Sequence, residues 1–311
     1  MTALPVTQPR TVGNIYAALE QTNRTELHPR LSASQLGGEC ERQIWDAFRW
    51  LFPPERHDGR KLSIFRTGEV WEQRIVEMLR GAGMEIDDVD PATGEQFRIV
   101  FAGGHASGRT DGKARGVPEA PKTEHVLEVK THNDRSFKDL IKKGSVQEAK
   151  PAHYAQVQLY LHHQHLTRAL YVCVNKNDDT LYSERIDYDP TAAIKLVAKA
   201  ERLATQDRRP ECTCPSYFLK AGYGCAPNEG LMPNRNCRTC LHVTAHLDGD
   251  ARWSCARHHR DLTIDEQRAG CAHHLFNPHL VPGEQYDADE AGEWVMYRLA
   301  DGSVWKDGGA G

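Results

Sequence analysis

Seven of the nine cysteines in this 311-residue chain fall after residue 207, and that crowding constrains the fold more than any hydrophobic pattern does. In a reducing compartment so many thiols are not structural disulfides, and a cysteine-dense segment poor in aliphatic side chains folds around metal. Cys173 lies inside the apolar run ALYVCV and reads as a buried strand residue, which leaves eight. The distal four, Cys237, Cys240, Cys255 and Cys271, open with a C-x2-C knuckle and are expected to hold Zn²⁺ tetrahedrally, with His258 as a competing ligand. Cys212, Cys214 and Cys225 form a trio one thiolate short, and counting leaves Cys40 as its partner. Their irregular spacing suits an iron-sulfur cluster, with Zn²⁺ as the alternative.

The residues before this segment carry ordinary periodicity. Residues 1–30 read as a polar lead-in with one helical stretch, NIYAALEQ. A helix capped by Ser32 or Ser34 is expected through QLGGECERQIWDAFRW, and a second over IFRTGEVWEQRIVEMLRGAG with Phe65, Trp71, Ile75, Val76 and Leu79 on one side. Strands follow in EQFRIVF, HASGRTDGKARG and HVLEVKT, then helices in SFKDLIKKG and PAHYAQVQLYLHHQHL. The runs ALYVCVNKN and TLYSERIDYD form a hairpin, and Asp189-Pro190 opens a further helix. This order predicts an α/β fold, a central mixed sheet flanked by helices, completed by a Cys/His-rich metal-binding C-terminal module.

The expected division is a lead-in over 1–30, a core over 31–207, a cysteine segment over 208–230 that joins Cys40, and a zinc module over 231–311. The last ends in a hairpin turning at Asp301-Gly302. No apolar run approaches about 18 residues, and the opening MTALPVTQPRTVGN lacks the basic-then-apolar order of a secretory signal. Membrane spanning and export are therefore not expected, and a cytoplasmic location is. A net charge of −4 excludes a polycation that coats nucleic acid, so any basic surface must be local.

The most informative stretch is GRTDG followed by HVLEVKT. Asp111 stands before a glycine at the end of an extended segment, and Glu128 and Lys130, two apart on an apolar strand, must share a face. Two carboxylates beside an ammonium suit a hard divalent cation, Mg²⁺ or Mn²⁺, working on a phosphate ester.

In these residues the chain resembles the PD-(D/E)XK nuclease superfamily, specifically its RecB-like branch. The resemblance rests on Gly68 to Glu72 in GEVWE, Asp111 in GRTDG, Glu128 and Lys130 in LEVKT, and Gln156 to Tyr160 in QVQLY, in that order. It covers roughly residues 31 to 190 and implies a restriction-endonuclease-like core. One departure is Glu72, where many relatives carry histidine. The resemblance implies that Glu72, Asp111 and Glu128 ligate the cation, that Lys130 is the catalytic lysine, and that Gln156 and Tyr160 line the site and contact nucleic acid. The one-plus-three cysteine arrangement is similar to that of RecB-like exonucleases, including CRISPR-adaptation ones, and implies a [4Fe-4S] cluster on Cys40, Cys212, Cys214 and Cys225. Here the trio is C-x-C-x10-C rather than the usual C-x2-C-x5-C. The pairing with a Cys/His tail is reminiscent of bacteriophage nucleases and implies a role in recombination, replication or repair inside a bacterial cell.

The resulting expectation is a Mg²⁺- or Mn²⁺-dependent deoxyribonuclease, an exonuclease on DNA ends or single strands. The alternative is a non-catalytic zinc or iron-sulfur DNA-binding or assembly factor that keeps the fold. Phosphate contacts are expected from Lys138, Lys142, Lys143, Arg208 and Arg209, and His105 reads as a surface-loop histidine that could also reach a phosphate. Trp45, Trp50 and Tyr217 are candidates for stacking on unpaired bases, with Trp45 read alternatively as packed inside its helix pair.

Overall fold

The computed structural model describes residues 10–23 and 27–309. The reading of the opening segment as lacking an export signal falls largely on residues 1–9, outside the described residues. In chain order the first elements are α1 (Arg10–Thr22), β1 (Leu31–Ser32), α2 (Ala33–Leu36), α3 (Glu41–Phe48), α4 (Gly59–Gly81), β2 (Glu85–Asp87), β3 (Arg98–Phe101), β4 (Ala106–Arg109), β5 (Gly112–Arg115) and β6 (His125–His132). There follow α5 (Asp134–Lys143), α6 (Val146–Ala149), α7 (Pro151–Gln164), β7 (Arg168–Asn175), β8 (Leu181–Asp187) and α8 (Pro190–Thr205). The cysteine-rich part holds α9 (Ser216–Lys220), β9 (Val243–Ala245), β10 (Trp253–Cys255), β11 (Arg260–Asp261), α10 (Ile264–Ala269), β12 (Gly283–Asp289), β13 (Trp294–Leu299) and β14 (Val304–Gly308).

The central sheet has the order β2-β5-β6-β7-β8, with β6 and β7 parallel and the other neighbours antiparallel. Helices cover both faces, which is why β6 and β7 read as nearly unbroken apolar runs. On one face Trp71, Ile75 and Val76 of α4 pack on Leu127, Val129, Leu170 and Val172. On the other, Val157, Tyr160 and Leu161 of α7 and Leu203 of α8 pack with Val126, Ala169, Tyr171 and Cys173. The α4 helix starts where the Asp58 side chain accepts from the Lys61 N–H, and α8 where Asp189 accepts from Thr191 and Ala192.

Four sequence expectations need correction. The helix expected through QLGGECERQIWDAFRW is instead two, α2 and α3, parted at Gly37 and Gly38, and Gly37 abuts the Ala152 backbone of α7 so closely that a side chain there has no room. Ser32 occupies the position before α2, but its side chain makes no cap bond. Phe65 does not join the buried side of α4; it is exposed while Trp71, Ile75 and Val76 are buried. The segment HASGRTDGKARG is two strands in different sheets: β4 pairs with β1 and β3, whereas β5 joins the central sheet.

The core also continues across residue 231. Cys237, Val243, Ala245, Trp253 and Leu280 pack into the same cluster as Trp45 and Phe48. At that seam Arg238, 1% exposed, places its guanidinium 3.7 Å from the Trp50 ring centroid and 4.8 Å from that of Trp253. It donates to the carbonyls of Phe48 and Pro29 and to the Gln267 side chain. The terminal hairpin turns near Asp301-Gly302 as expected and gains a third strand, β12.

Candidate active site and metal centres

The β5–β6 register pairs Gly112 with Leu127, so Asp111 arrives across from Glu128. Gly112 has φ +149, and a Cβ there would lie 2.6 Å from the Asp87 carbonyl oxygen, so the Asp-Gly dipeptide is what this turn into the sheet demands. Asp111 Oδ2 then accepts from the Val129 N–H at 2.7 Å. Glu128 and Lys130 share a face as the alternation requires, and the Lys130 ammonium donates to Glu128 Oε1. Glu72, one turn beyond Gly68 on α4, faces them. A cleft of about 370 Å³ is lined by Glu72, Asp111, Lys130, His132, Lys150 and His153, with the fully buried Glu128 beneath it.

Three carboxylates facing one ammonium leave surplus negative charge. Burial pushes Glu128 up to about 8, with Asp111 adding to the rise and Lys130 opposing it. Burial and Asp111 push Glu72 up to about 7. Burial raises Asp111 as well, against the pull of Lys130 and the Val129 N–H. Burial works against the Lys130 ammonium, but Glu128 and Asp111 outweigh it and hold its pKa above the usual lysine value. Glu128 Oε2 is buried and has no hydrogen-bond partner. An orphaned carboxylate oxygen among mutually destabilised acids is chemistry that a hard cation would relieve. Among the described residues only Cys40, Cys212, Cys214 and Cys225 bring three or more ligand atoms within 4.8 Å of one another, so the acids stand as an open set rather than a closed one.

Gln156 and Tyr160 are brought together on α7, where Gln156 Nε2 donates to the Tyr160 hydroxyl at 2.8 Å. At 7% and 2% exposure they stand behind the site, with Tyr160 wedged against Gly108, rather than on an open face that a polymer could touch. The other expected contacts divide sharply. Trp45 and Trp50 are fully buried, so neither can stack on a base, whereas Tyr217 is exposed. His105 is not in a surface loop; it is buried, bonded to the His246 carbonyl, and held neutral down to about 4 chiefly by burial. Arg209 is engaged by both oxygens of Asp46, at 2.8 and 2.6 Å. Lys138 and Lys143 pair with Asp134 and Asp139 one turn earlier on α5.

Among the cleft residues that sequence reading missed are His132, Lys150 and His153. His132 was within reach, since it continues the alternation of Glu128 and Lys130 on β6. Its Nε2 and the His153 Nδ1 both meet the Tyr171 hydroxyl, at 3.0 and 2.9 Å.

Cys40, Cys212, Cys214 and Cys225 do converge, with all four sulfurs within 4.8 Å of one another. The Cys40–Cys225 and Cys214–Cys225 contacts are 3.6 Å. A single ion with Zn–S bonds of about 2.3 Å gives a tetrahedral edge of roughly 3.8 Å. A four-iron cube holds its thiolates on its outer corners and needs them farther apart than these contacts. Burial opposes ionisation at Cys40, yet the Gln43 and Thr213 backbone and the neighbouring thiols bring it down to about 6. Burial and the same thiols push Cys225 upward, so the group accepts one negative charge and resists the next.

Cys237, Cys240, Cys255 and Cys271 line one small cavity of about 70 Å³ with His242, His258, His273 and His274. Among the described residues no second group of three or more ligand atoms is drawn as close as the proximal one. His242 Nε2 and His274 Nδ1 are buried here without partners, and sequence reading passed over His242 although it follows Cys240 by two.

No protein-family model matches the chain, and no curated protein matches it. Among solved structures it overlaps an alkaline exonuclease (LHK-Exo) from Laribacter hongkongensis, at 14% identity and a TM-score of 0.41 over 61% of this chain and 90% of that one. The complex of LHK-Exo with dAMP gives a TM-score of 0.42 at the same identity and coverage. SSO0001 overlaps at 16% identity and a TM-score of 0.37, over 63% of this chain and 86% of that one.

Proposed function

We propose that this chain is a metal-dependent deoxyribonuclease of the PD-(D/E)XK type, acting as an exonuclease on DNA ends or single strands. The observation that carries the reading is the convergence of Glu72, Asp111 and Lys130 on one cleft, with Glu128 bonded to Lys130 behind its wall and Glu128 Oε2 buried and unpartnered. Glu72, Asp111 and Glu128 would hold Mg²⁺ or Mn²⁺. Such a cation, when bound, supplies positive charge to a phosphoryl oxygen and makes a water more acidic.

The remaining work falls to the protein. The Val129 N–H fixes Asp111, so its second oxygen keeps one direction. Lys130 stays protonated in its acidic surroundings, which suits it to stabilising charge on the phosphate in the transition state rather than to acting as a base. Gln156 and Tyr160 support the floor from behind. The two cysteine groups are proposed as structural metal sites, Cys40 with Cys212, Cys214 and Cys225, and Cys237, Cys240, Cys255 and Cys271 with zinc. The sulfur contacts of the first favour one tetrahedral ion over [4Fe-4S]. Among the described residues no helix is long and apolar enough to cross a membrane, and a bacterial or phage-infected cytoplasm is the proposed setting.

The test is incubation of end-labelled single- and double-stranded DNA with the protein in Mg²⁺, in Mn²⁺ and in EDTA. Progressive shortening from ends in either metal, abolished by EDTA, is expected. Intact DNA under all conditions, with binding retained, would return the non-catalytic DNA-binding reading.

A further inference from the structure

The carboxylate cleft does not end at its own rim. Lys150 and His153, at the start of α7, line it and also line a second groove of about 570 Å³. That groove runs past Cys40 and Cys214 to Tyr217 and Phe218 on α9. The two grooves therefore form one continuous path, from the acids to the cysteine centre.

The far end of this path is unusual for a surface. Tyr217 is 68% exposed, Phe218 42% and Tyr223 63%. Their rings form a cluster, with centroids 5.0 Å apart for Tyr217–Phe218 and 6.2 Å for Phe218–Tyr223. All three lie between Cys214 and Cys225, so the convergence of the thiols sets the loop that presents them. An isolated five-residue helix has no stability of its own. Three large aromatic side chains grouped in water, on a segment anchored at both ends, call for an occupant with flat apolar faces.

The groove is poor in charge. Lys150 is its lysine, already shared with Asp139 at 3.4 Å, and Glu39 lies on the same wall. A duplex is gripped mainly through its phosphates and keeps its bases stacked inside, so it gains little here. An unpaired strand offers a base face to each ring, and stacking on aromatic side chains, together with cationic contact to the backbone for which Lys150 is placed, is how such strands are held without sequence preference.

We infer that Tyr217, Phe218 and Tyr223 form a stacking platform for single-stranded DNA, and that the strand runs from it past Lys150 and His153 into the carboxylate cleft. This rests on the nuclease reading for the direction of the path, and it makes the cysteine centre the support of a substrate subsite.

The experiment measures fluorescence anisotropy of dye-labelled oligothymidylate and of a blunt hairpin duplex, without added Mg²⁺ or Mn²⁺. The variants are Tyr217→Ala with Phe218→Ala, and Tyr217→Trp. The double variant is expected to bind the single strand about tenfold or more weakly while its duplex affinity stays within about twofold, and Tyr217→Trp is expected to keep single-strand affinity. Unchanged metal content and melting temperature confirm that the platform alone was altered. Unchanged single-strand affinity, an equal loss on the duplex, or a wild-type protein that ignores the single strand each overturns the inference. So does a wild-type dimer that the double variant dissociates without loss of DNA binding. Cleavage is scored separately: selective loss of single-strand binding in a protein that cuts nothing in either metal keeps the platform and rejects the nuclease.

Discussion

The sulfurs of Cys40 and Cys225 lie 3.6 Å apart although 185 positions separate them in the chain. This contact joins the start of α3 to the loop after α9, so an ion held there would close the protein over most of its length. Cys40→Ala is expected to remove one metal equivalent and lower the melting temperature, since structural zinc contributes folding energy directly. Elemental and sulfide analysis decides the metal. About one zinc on this site is expected, whereas iron with acid-labile sulfide and broad visible absorption would reinstate the cluster.

Lys130→Ala should reduce cleavage by about a hundred- to a thousandfold, the scale set by losing one charge-stabilising group in an active site. Asp111→Ala and Glu128→Ala should do at least as much. DNA affinity measured without Mg²⁺ or Mn²⁺ is expected to change little. Rates near wild type in the Lys130→Ala protein remove this lysine from the chemistry.

In the metal-free protein Glu128 titrates near 8 and Glu72 near 7, both held protonated mainly by burial. A cation that ligates them must displace those protons. Its apparent affinity should therefore climb between pH 6 and 8, by up to about tenfold per unit for each proton displaced, and level off above. Calorimetric titration with Mn²⁺ across that range reads both the affinity and the proton release. A flat affinity is incompatible with these two acids as ligands.

Burial lowers His105, His132 and His274 to about 4 each, below the 6.5 of an unfolded histidine. Above pH 6.5 neither state binds the extra protons, and stability is complete. As pH falls below 6.5 the unfolded chain protonates first, so stability is lost progressively down to about pH 4. Each residue costs about 1–2 kcal/mol at pH 5. Urea melts at pH 7 and pH 5 should differ accordingly, and replacing His105 with a neutral side chain should shrink the difference.

Arg238→Ala should destabilise the whole protein by about 3 kcal/mol or more, because it strips three carbonyl or amide acceptors of their donor and empties an aromatic cage. A single cooperative transition at lower temperature is expected. If only a minor second transition moves, the seam between Trp50 and Trp253 is not part of the main core.

Much of the site was legible because its chemistry is carried by local rules. Period-two alternation alone pairs Glu128 with Lys130, and thiol counting alone joins Cys40 to a trio far downstream. What escaped depended on contacts between distant segments. The close approach of α7 to Gly37 is such a contact, and so is the burial of Trp50 and His105 by residues 238–253 that pack over them. Arg209 reads as a phosphate ligand until Asp46 is found beside it, and no spacing in the sequence brings those two together.

Asp111 sits where one extended run passes from the small β1-β4-β3 sheet to the central sheet. The small sheet is in turn fastened to the cysteine-rich part, through the Gly103 carbonyl that accepts from the Ala251 N–H and through Gly103 pressed against Leu247. The carboxylate is thus held from two sides: the Val129 N–H ties it to the strand that bears Glu128 and Lys130, and the run that carries it continues into the other sheet. A shift at the Gly103–Ala251 seam would reach the chemistry by sliding one strand of a shared run. The cysteine-rich part thus reaches the cleft through a covalent run, six residues of which separate Gly104, at its approach to Ala251, from Asp111.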